Sequence, residues 1–297
     1  MNSARRLTAG TLAAGALALT LGLTGCAQSV DPIERLGRKA TAEVTGGAAT
    51  PVAPPAASAS AHPAAGAPAA HVRWGVKKPL EFAPRPAHRA VLPAAAPGRA
   101  PVVDRIPLPP GEKTVFLTFD DGAERDPDFL RMAADLKLPI SMFLTDSVAA
   151  PGYPYFRELR DLGNGSTVQN HSLTHPNLRT LSHAAQKAEI CGQQERLAKR
   201  FGERPRLFRP PYGNHNDDTL RAAAECGISS VVLWKASMQI NDMRYAEGDG
   251  LRPGDIVLAH FRGRAELKGA TLTRMTANML NSIQEQGFRI GRLEDHI

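Results

Sequence analysis

From about residue 101 onward, short apolar runs alternate with helix-patterned segments, and this alternation limits the fold more than any other feature of the chain. Strand-like runs read "TVFLTF" (114–119), "ISMFL" (140–144), "SSVVLW" (229–234), "DIVLAH" (255–260) and "FRIGRL" (288–293), with a short "RLF" at 206–208. Helical patterns lie near 126–137, 154–162, 182–201, 217–226 and 272–286. Asp217 is a candidate N-cap for one of these helices and Gly227 a candidate terminator. Parallel neighbours need a long crossover, and a helix supplies one, so the order predicts a parallel sheet or barrel. About 200 residues fall short of a full eightfold barrel. The expectation is an α/β fold over residues 101–297, a parallel barrel with fewer or less regular strands than eight.

The N-terminal third has a different texture. Arg5 and Arg6 precede "LTAGTLAAGALALTLGLTG", an apolar, small-residue stretch of signal-peptide type. It runs into "LTGC", residues 23–26, which resembles a bacterial lipobox. That resemblance implies removal of residues 1–25, lipidation of Cys26 and anchoring of the chain to the outer side of the cell membrane. Residues 26–100 then read as an Ala/Pro-rich linker without the apolar content for a core. Within it, "VRWGVKKPLEFAPRP" (72–86) carries Trp74, Leu80 and Phe82, and it either docks on the folded part or stays disordered.

Charge separates along the same boundary. Residues 1–100 carry 11 Lys/Arg against 4 Asp/Glu, whereas residues 101–297 carry 25 of each. The whole +7 excess therefore precedes the folded part, which has no basic surplus for nucleic acid. A basic leader suits an anionic membrane or wall surface, or simply a soluble tether. Apart from Cys26, the chain has only Cys191 and Cys226. Outside the cytoplasm an even pair favours a disulfide; the alternative is two buried thiols.

Unusual residues cluster at strand ends, where parallel barrels place their chemistry. Asp120 and Asp121 end the first strand, "RPPYG" follows "RLF", Trp234 ends another strand, and His260 ends the next. Adjacent carboxylates before Gly122 fit an ordinary Asp-Gly turn, or a division of labour between a metal ligand and a proton acceptor. "NHSLTH" puts His171 and His175 four apart, which on a helical turn aims both imidazoles at one ion. Two nitrogens and a carboxylate oxygen leave open positions, the pattern of a catalytic zinc site. Non-haem iron oxygenases use the same donors, but with the carboxylate close to the first His. Here it precedes the pair by about 50 residues, and that order argues for a hydrolase.

"TFDDG" (118–122), "HSLTH" (171–175), "RPPYG" (209–213) and "LAH" (258–260) together resemble four of the five motifs of the polysaccharide deacetylase family, the NodB-like carbohydrate esterases. The resemblance implies a distorted (β/α) barrel and removal of acetyl groups from a glycan, with N-acetylated cell-wall polysaccharide (peptidoglycan or chitin-like) as the substrate. It also implies a divalent metal, zinc first, on Asp121, His171 and His175. Asp120 would be the base, Arg209 its partner and His260 the general acid. The Tyr212 backbone N–H would face the oxyanion, and Leu258 would line the acetyl pocket. Trp234 either stacks on a sugar or closes the barrel. His215 and His183 read as loop and solvated residues. The fourth motif departs from the family: Ser237, Ile240 and Asn241 stand near the positions of its carboxylates and Trp. Asp242 is the nearest carboxylate and the expected substitute partner of His260. Rival readings are an impaired deacetylase that retains glycan binding and an O-acetyl (xylan-type) esterase.

Overall fold

The computed structural model describes residues 69–297. The signal-like stretch, Cys26 and the Ala/Pro-rich sequence up to residue 68 lie outside the described residues. The strands are β1 (Val102–Val103), β2 (Thr114–Asp121), β3 (Ile140–Leu144), β4 (Thr167–Asn170) and β5 (Leu207–Phe208). They continue with β6 (Ser230–Val232), β7 (Ala236–Met238), β8 (Met243–Tyr245), β9 (Ile256–His260) and β10 (Arg289–Gly291). They form one curled sheet in the order β1-β6-β5-β4-β3-β2-β9-β7-β8, with β10 beside the start of β2. Every pairing is parallel except β7–β8. The result is the expected distorted (β/α) barrel.

The helices are α1 (Ala70–Arg73), α2 (Pro127–Asp135), α3 (Asp146–Ala149), α4 (Tyr153–Arg160), α5 (His183–Phe201), α6 (Asp217–Glu225), α7 (Leu272–Glu285) and α8 (Leu293–His296). Their ends follow from the sequence. The Asp126 side chain caps α2 ahead of Pro127, Ser182 caps α5, and Gly202 closes α5 with φ 84°. The cap of α6 is Asn216, in a reciprocal box with Thr219, and the expected cap Asp217 is instead the first helical residue. Asn216 adopts the extended backbone a cap requires, which leaves Asp217 to favour the positive helix end.

β4 escaped the sequence reading because its segment, "TVQN", looks polar. Its side chains are buried but engaged: Gln169 Oε1 accepts from Leu207 N at 2.9 Å, and Asn170 Nδ2 donates to Ile190 O and Gln194 Oε1. The main core lies between sheet and helices, where Phe119, Phe129, Phe156 and Phe261 meet at centroid distances of 5.2–5.7 Å. A second cluster fills the barrel below the rim, with Phe116, Phe143, Ile256, Leu293 and Ile297. Glu294 on α8 accepts from Ser141 and Gln169 and meets Thr167, so the floor of the barrel is plugged.

Of the two alternatives for residues 72–86, the segment docks. Trp74 Nε1 donates to Asp135 Oδ2 at 2.8 Å, Val76 is buried, and Lys77 N donates to Asn281 Oδ1 at 2.8 Å. Ala83 N then donates to Ile290 O, and Ile290 N to Glu81 O, which extends β10. Further along, Ala90 N donates to His296 O and Ala100 N to Leu220 O. The packed unit therefore reaches back to residue 69, ahead of the boundary expected at 101, because this stretch carries enough apolar and hydrogen-bonding groups to dock.

The docking sites of residues 74–83 share one end of the barrel, while Arg99 and Ala100 reach the start of α6. Asp135 ends α2, Gln284 and Glu285 end α7, and β10 pairs with the first residues of β2. Helices that return between parallel strands end beside the strand starts. The chain thus enters at the end opposite the strand ends that carry Asp120, Asp121 and His260.

Candidate active site

β2 and β9 deliver the central groups. In their register Asp120 faces His260, and two residues back Thr118 faces Leu258. Successive residues of a strand point to opposite faces, so adjacent carboxylates would normally diverge. Asp121 instead adopts φ 76°, a left-handed backbone that re-aims its side chain beside that of Asp120. Gly122 follows at φ 83°, where a Cβ would lie 2.8 Å from Ala149 Cβ, so only glycine fits.

His171 follows β4 and His175 lies four residues on, but the segment between them is a loop rather than a helical turn. Ser172 and His175 both take positive φ. Ser172 N donates to Asn170 Oδ1 at 2.8 Å, and His175 N donates to Ser172 Oγ at 3.1 Å. Glu189 on α5 accepts from both Thr174 N and Thr174 Oγ1. Side-chain bonds thus do what helix geometry was expected to do, and the imidazole centroids end 5.0 Å apart.

Asp121, His171 and His175 each offer one ligand atom within 4.8 Å of the others, and all three residues are buried. Asp121 Oδ1 lies 3.5 Å from His171 Nε2 and 3.4 Å from His175 Nε2. His171 Nδ1 lies 2.7 Å from Arg209 O, a carbonyl that only accepts. Nδ1 therefore carries the proton, and the Nε2 lone pair faces Asp121. Burial depresses the His171 pKa to about 3, so the ring is a neutral donor at physiological pH. Two imidazoles and one carboxylate fit a divalent cation with room for further ligands.

Asp120 Oδ2 lies 3.7 Å from His171 Nε2, but the hydrogen bond to its carboxylate comes from Arg209. Arg209, fully buried, donates to Asp120 Oδ1 at 2.6 Å, Thr118 Oγ1 at 2.9 Å, Val232 O at 3.1 Å and Leu233 O at 3.2 Å. Its guanidinium also lies over Phe143 at 4.3 Å. Burial raises the Asp120 pKa to about 6, and Arg209 opposes that rise. His260 Nε2 stands 4.0 Å from Asp121 Oδ2, with a fifth of its side chain open. Its pKa is lowered well below the usual value, by burial first and then by Arg262.

The remaining residues sit around this centre. Leu258 is buried on the same face of β9 as His260. Tyr212, at φ 61°, places its ring 4.7 Å from His175. Trp234 packs under the "RPPYG" turn: a Cβ on Gly213 would come within 3.0 Å of it, and Arg209 lies over its ring at 5.6 Å. His215 Nδ1 lies 3.1 Å from Gly213 O, and His183 pairs with Glu225, both away from the cluster.

The structure corrects the expectation for Asp242. That carboxylate is exposed and nearest Arg244 at 3.9 Å, because the β7–β8 turn folds over α7 instead of towards His260. Ser237 Oγ accepts from Gln239, and Asn241 Oδ1 accepts from Asn278. Sequence reasoning missed Thr118, which steadies Arg209, and Arg262, which acts electrostatically on Asp120 and His260. Only the position of Arg262, two residues past His260, could have drawn attention to it.

The disulfide alternative holds for the two remaining cysteines: Cys191 on α5 and Cys226 at the end of α6 are bonded, with Cα atoms 5.0 Å apart.

A sequence profile described as polysaccharide deacetylase matches residues 108–231. An uncharacterized Streptomyces coelicolor protein is 47% identical over 199 residues, covering 66% of this chain and 77% of its own length. A peptidoglycan-N-acetylglucosamine deacetylase of Bacillus cereus is 27% identical over 194 residues, covering 61% and 87%. Among solved structures, a CE4-family pseudoenzyme from Bacillus anthracis aligns with TM-score 0.50 and 22% identity, covering 63% and 66%, a likeness of fold. The chain belongs to the polysaccharide deacetylase family.

Proposed function

We propose that the chain hydrolyses acetyl groups from N-acetylated cell-wall glycan, with peptidoglycan as the first choice. The observation that carries this reading is the separation of two adjacent carboxylates. Asp121 faces two imidazoles, while Asp120 is held by Arg209. A divalent cation on Asp121, His171 and His175, zinc first, would polarise the acetyl carbonyl and acidify the attacking water. Asp120 accepts the proton of that water, and Arg209 keeps the carboxylate ionised and aimed. The Tyr212 N–H donates to the developing oxyanion, and Leu258 gives the acetyl methyl an apolar wall. As the C–N bond breaks, His260 gives a proton to the leaving nitrogen.

Acetate release from N-acetylglucosamine oligomers and wall glycan tests the reading. Several relatives are peptidoglycan or chitin deacetylases, which supports the choice of glycan. The rival, a glycan-binding protein with little turnover, is favoured by Ser237, Ile240 and Asn241, which leave His260 without its usual carboxylate. A metal-loaded protein that binds these glycans without releasing acetate would establish that rival. O-acetyl hydrolysis is compared in the same assay with an acetylated xylan.

Lipidation at Cys26 and an extracytoplasmic, membrane-anchored location complete the proposal. The entry of the chain at the end opposite the rim supports it, since a tether there would leave the site facing the wall. Globomycin-sensitive processing and a labelled-palmitate test with Cys26→Ala check this part.

A further inference from the structure

Among the described residues, the large apolar side chains left exposed are Val72, Phe82 and Val91, and all three belong to the segment docked on the barrel. Val91 is 89% exposed, yet its backbone is fixed. Ala90 N donates to His296 O, and both Ala90 and Leu92 pack against the apolar cluster inside the barrel. Phe82 is fixed in the same way by its bridge to Ile290 and by Ala83 N donating to Ile290 O. These are ordered side chains turned outward, not parts of a loose tail. Single exposed apolar groups need no explanation, but a set confined to one segment and bordered by charge marks a contact surface.

The bordering charge is positive. Five arginines line one cleft of about 290 Å³: Arg85 and Arg89 from the docked segment, Arg204 and Arg206 from the loop between α5 and β5, and Arg292 ahead of α8. Thr167 and Leu207, the first residues of β4 and β5, line it too, so the cleft opens at the strand starts, on the floor of the barrel. Its side-chain carboxylates are already engaged. Glu203 lies 3.9 Å from Arg160, Glu294 accepts from Ser141 and Gln169, and Asp295 lies 3.2 Å from Arg292 and 3.5 Å from Arg85. Arg89, Arg204 and Arg206 are exposed and enter no ion pair among the described residues. Lys199 and Arg200, exposed in the last turn of α5, extend the charge, so "KRFGERPR" (199–206) holds four cations against one carboxylate. Residues 82–103 contain no Asp or Glu to offset it.

We propose that the floor of the barrel is a membrane-contact surface that seats on anionic phospholipid. This goes beyond the deacetylase reading and the Cys26 tether and depends on neither. Guanidinium groups match phosphate oxygens with paired N–H donors. Interfacial binding combines such charge attraction with apolar side chains that enter the headgroup–acyl boundary, and Val91 and Phe82 supply those. A soluble phosphate polymer would offer the arginines the same anion but give Val91 and Phe82 nothing to enter, which favours a lipid surface. Seated this way, the barrel turns the strand ends that carry Asp120, Asp121 and His260 away from the membrane.

The test uses the full chain with Cys26→Ala, so that no acyl chain contributes, and an environment-sensitive dye on Val91→Cys. A second protein carries the dye on Arg179→Cys, just past the His171–His175 loop at the rim. Each is mixed with vesicles of phosphatidylcholine alone or with phosphatidylglycerol added. On the anionic vesicles the emission at 91 should move to shorter wavelength and become shielded from acrylamide, while the dye at 179 stays in water. High salt should weaken the response. Arg204→Gln/Arg206→Gln should raise the lipid concentration at half-response roughly 10–30-fold, about fivefold per charge. Arg264→Gln/Lys268→Gln, on the loop after β9, removes the same net charge at the rim and should leave it nearly unchanged. Every substituted position among the described residues is exposed, so the packed unit is kept. A dye at 91 that stays in water at saturating anionic lipid would overturn the proposal. So would an equal response at 179, or an effect of Arg204→Gln/Arg206→Gln no larger than that of the rim pair. Binding of soluble polyglycerol phosphate that needs Arg204 and Arg206, with no response at 91 on vesicles, would overturn the choice of lipid.

Discussion

At the residue scale, Asp120 and Asp121 both approach His171, but Arg209 donates only to Asp120 and His175 faces Asp121. Asp121→Ala and His175→Ala should each lose the metal and with it the activity. Asp120→Asn should keep most of the metal and lose roughly 10²–10⁴-fold in kcat. Metal analysis beside the rates checks both, and equal metal loss in all three variants would contradict the division. The raised Asp120 pKa has two consequences. As a base the group must be ionised, so activity should fall as pH drops through a value at or below about 6, since a bound cation favours the carboxylate further. Removing the Arg209 charge should move that limb to higher pH. In the metal-free protein the folded state favours protonated Asp120. That stabilisation is present below the ordinary value of 3.8 and is lost as pH rises towards about 6. Thermal melts in chelator should therefore show a decline across that window that metal removes. Asp242→Asn should leave the pH–rate profile unchanged, because the carboxylate is exposed and turned towards Arg244.

At the scale of elements, the strands and helices that carry the site were legible because their apolar period and caps are local signals. β2, β3 and β9 show as continuous apolar runs, as strands buried on both faces do. β4 did not show, because its burial depends on amide partners from α5 and β5 that no local pattern announces. The His171–His175 loop was misread as a helical turn for a related reason: its shape comes from Asn170, Ser172 and Glu189. The disulfide ties α5 to the end of α6 across 35 residues. Loss of a cross-link that closes such a loop should cost roughly 3–4 kcal/mol in the chain-entropy account. Denaturant melts of Cys191→Ala/Cys226→Ala against the oxidised wild type measure it, and coincident curves would show that the bond contributes nothing.

At the scale of the whole molecule, the barrel has two ends with different tasks. The rim carries the polar cluster, and the opposite end is plugged by α8 and covered by residues 74–83. The four motif segments were legible as one site because strand ends in a parallel barrel converge on one rim. Docking of residues 72–86 stayed open from the sequence although Trp74 stood out, because the partners of Trp74 and Lys77 lie about 60–200 residues away in α2 and α7. Trp74→Ala should lower stability by roughly 1–3 kcal/mol through lost burial and the Asp135 bond. It should leave kcat intact, because its site lies at the far end; a large fall in kcat at full occupancy would contradict that separation.

The central claim is hydrolysis at an Asp–His–His metal centre with Asp120 as base. The most direct measurement is acetate released from N-acetylated wall glycan by the metal-loaded chain. It is repeated after chelation, after return of a divalent ion, and with Asp120→Asn. The account predicts release that chelation abolishes and metal restores, and that Asp120→Asn lacks despite bound metal. Release that survives chelation, or that Asp120→Asn retains in full, would contradict it.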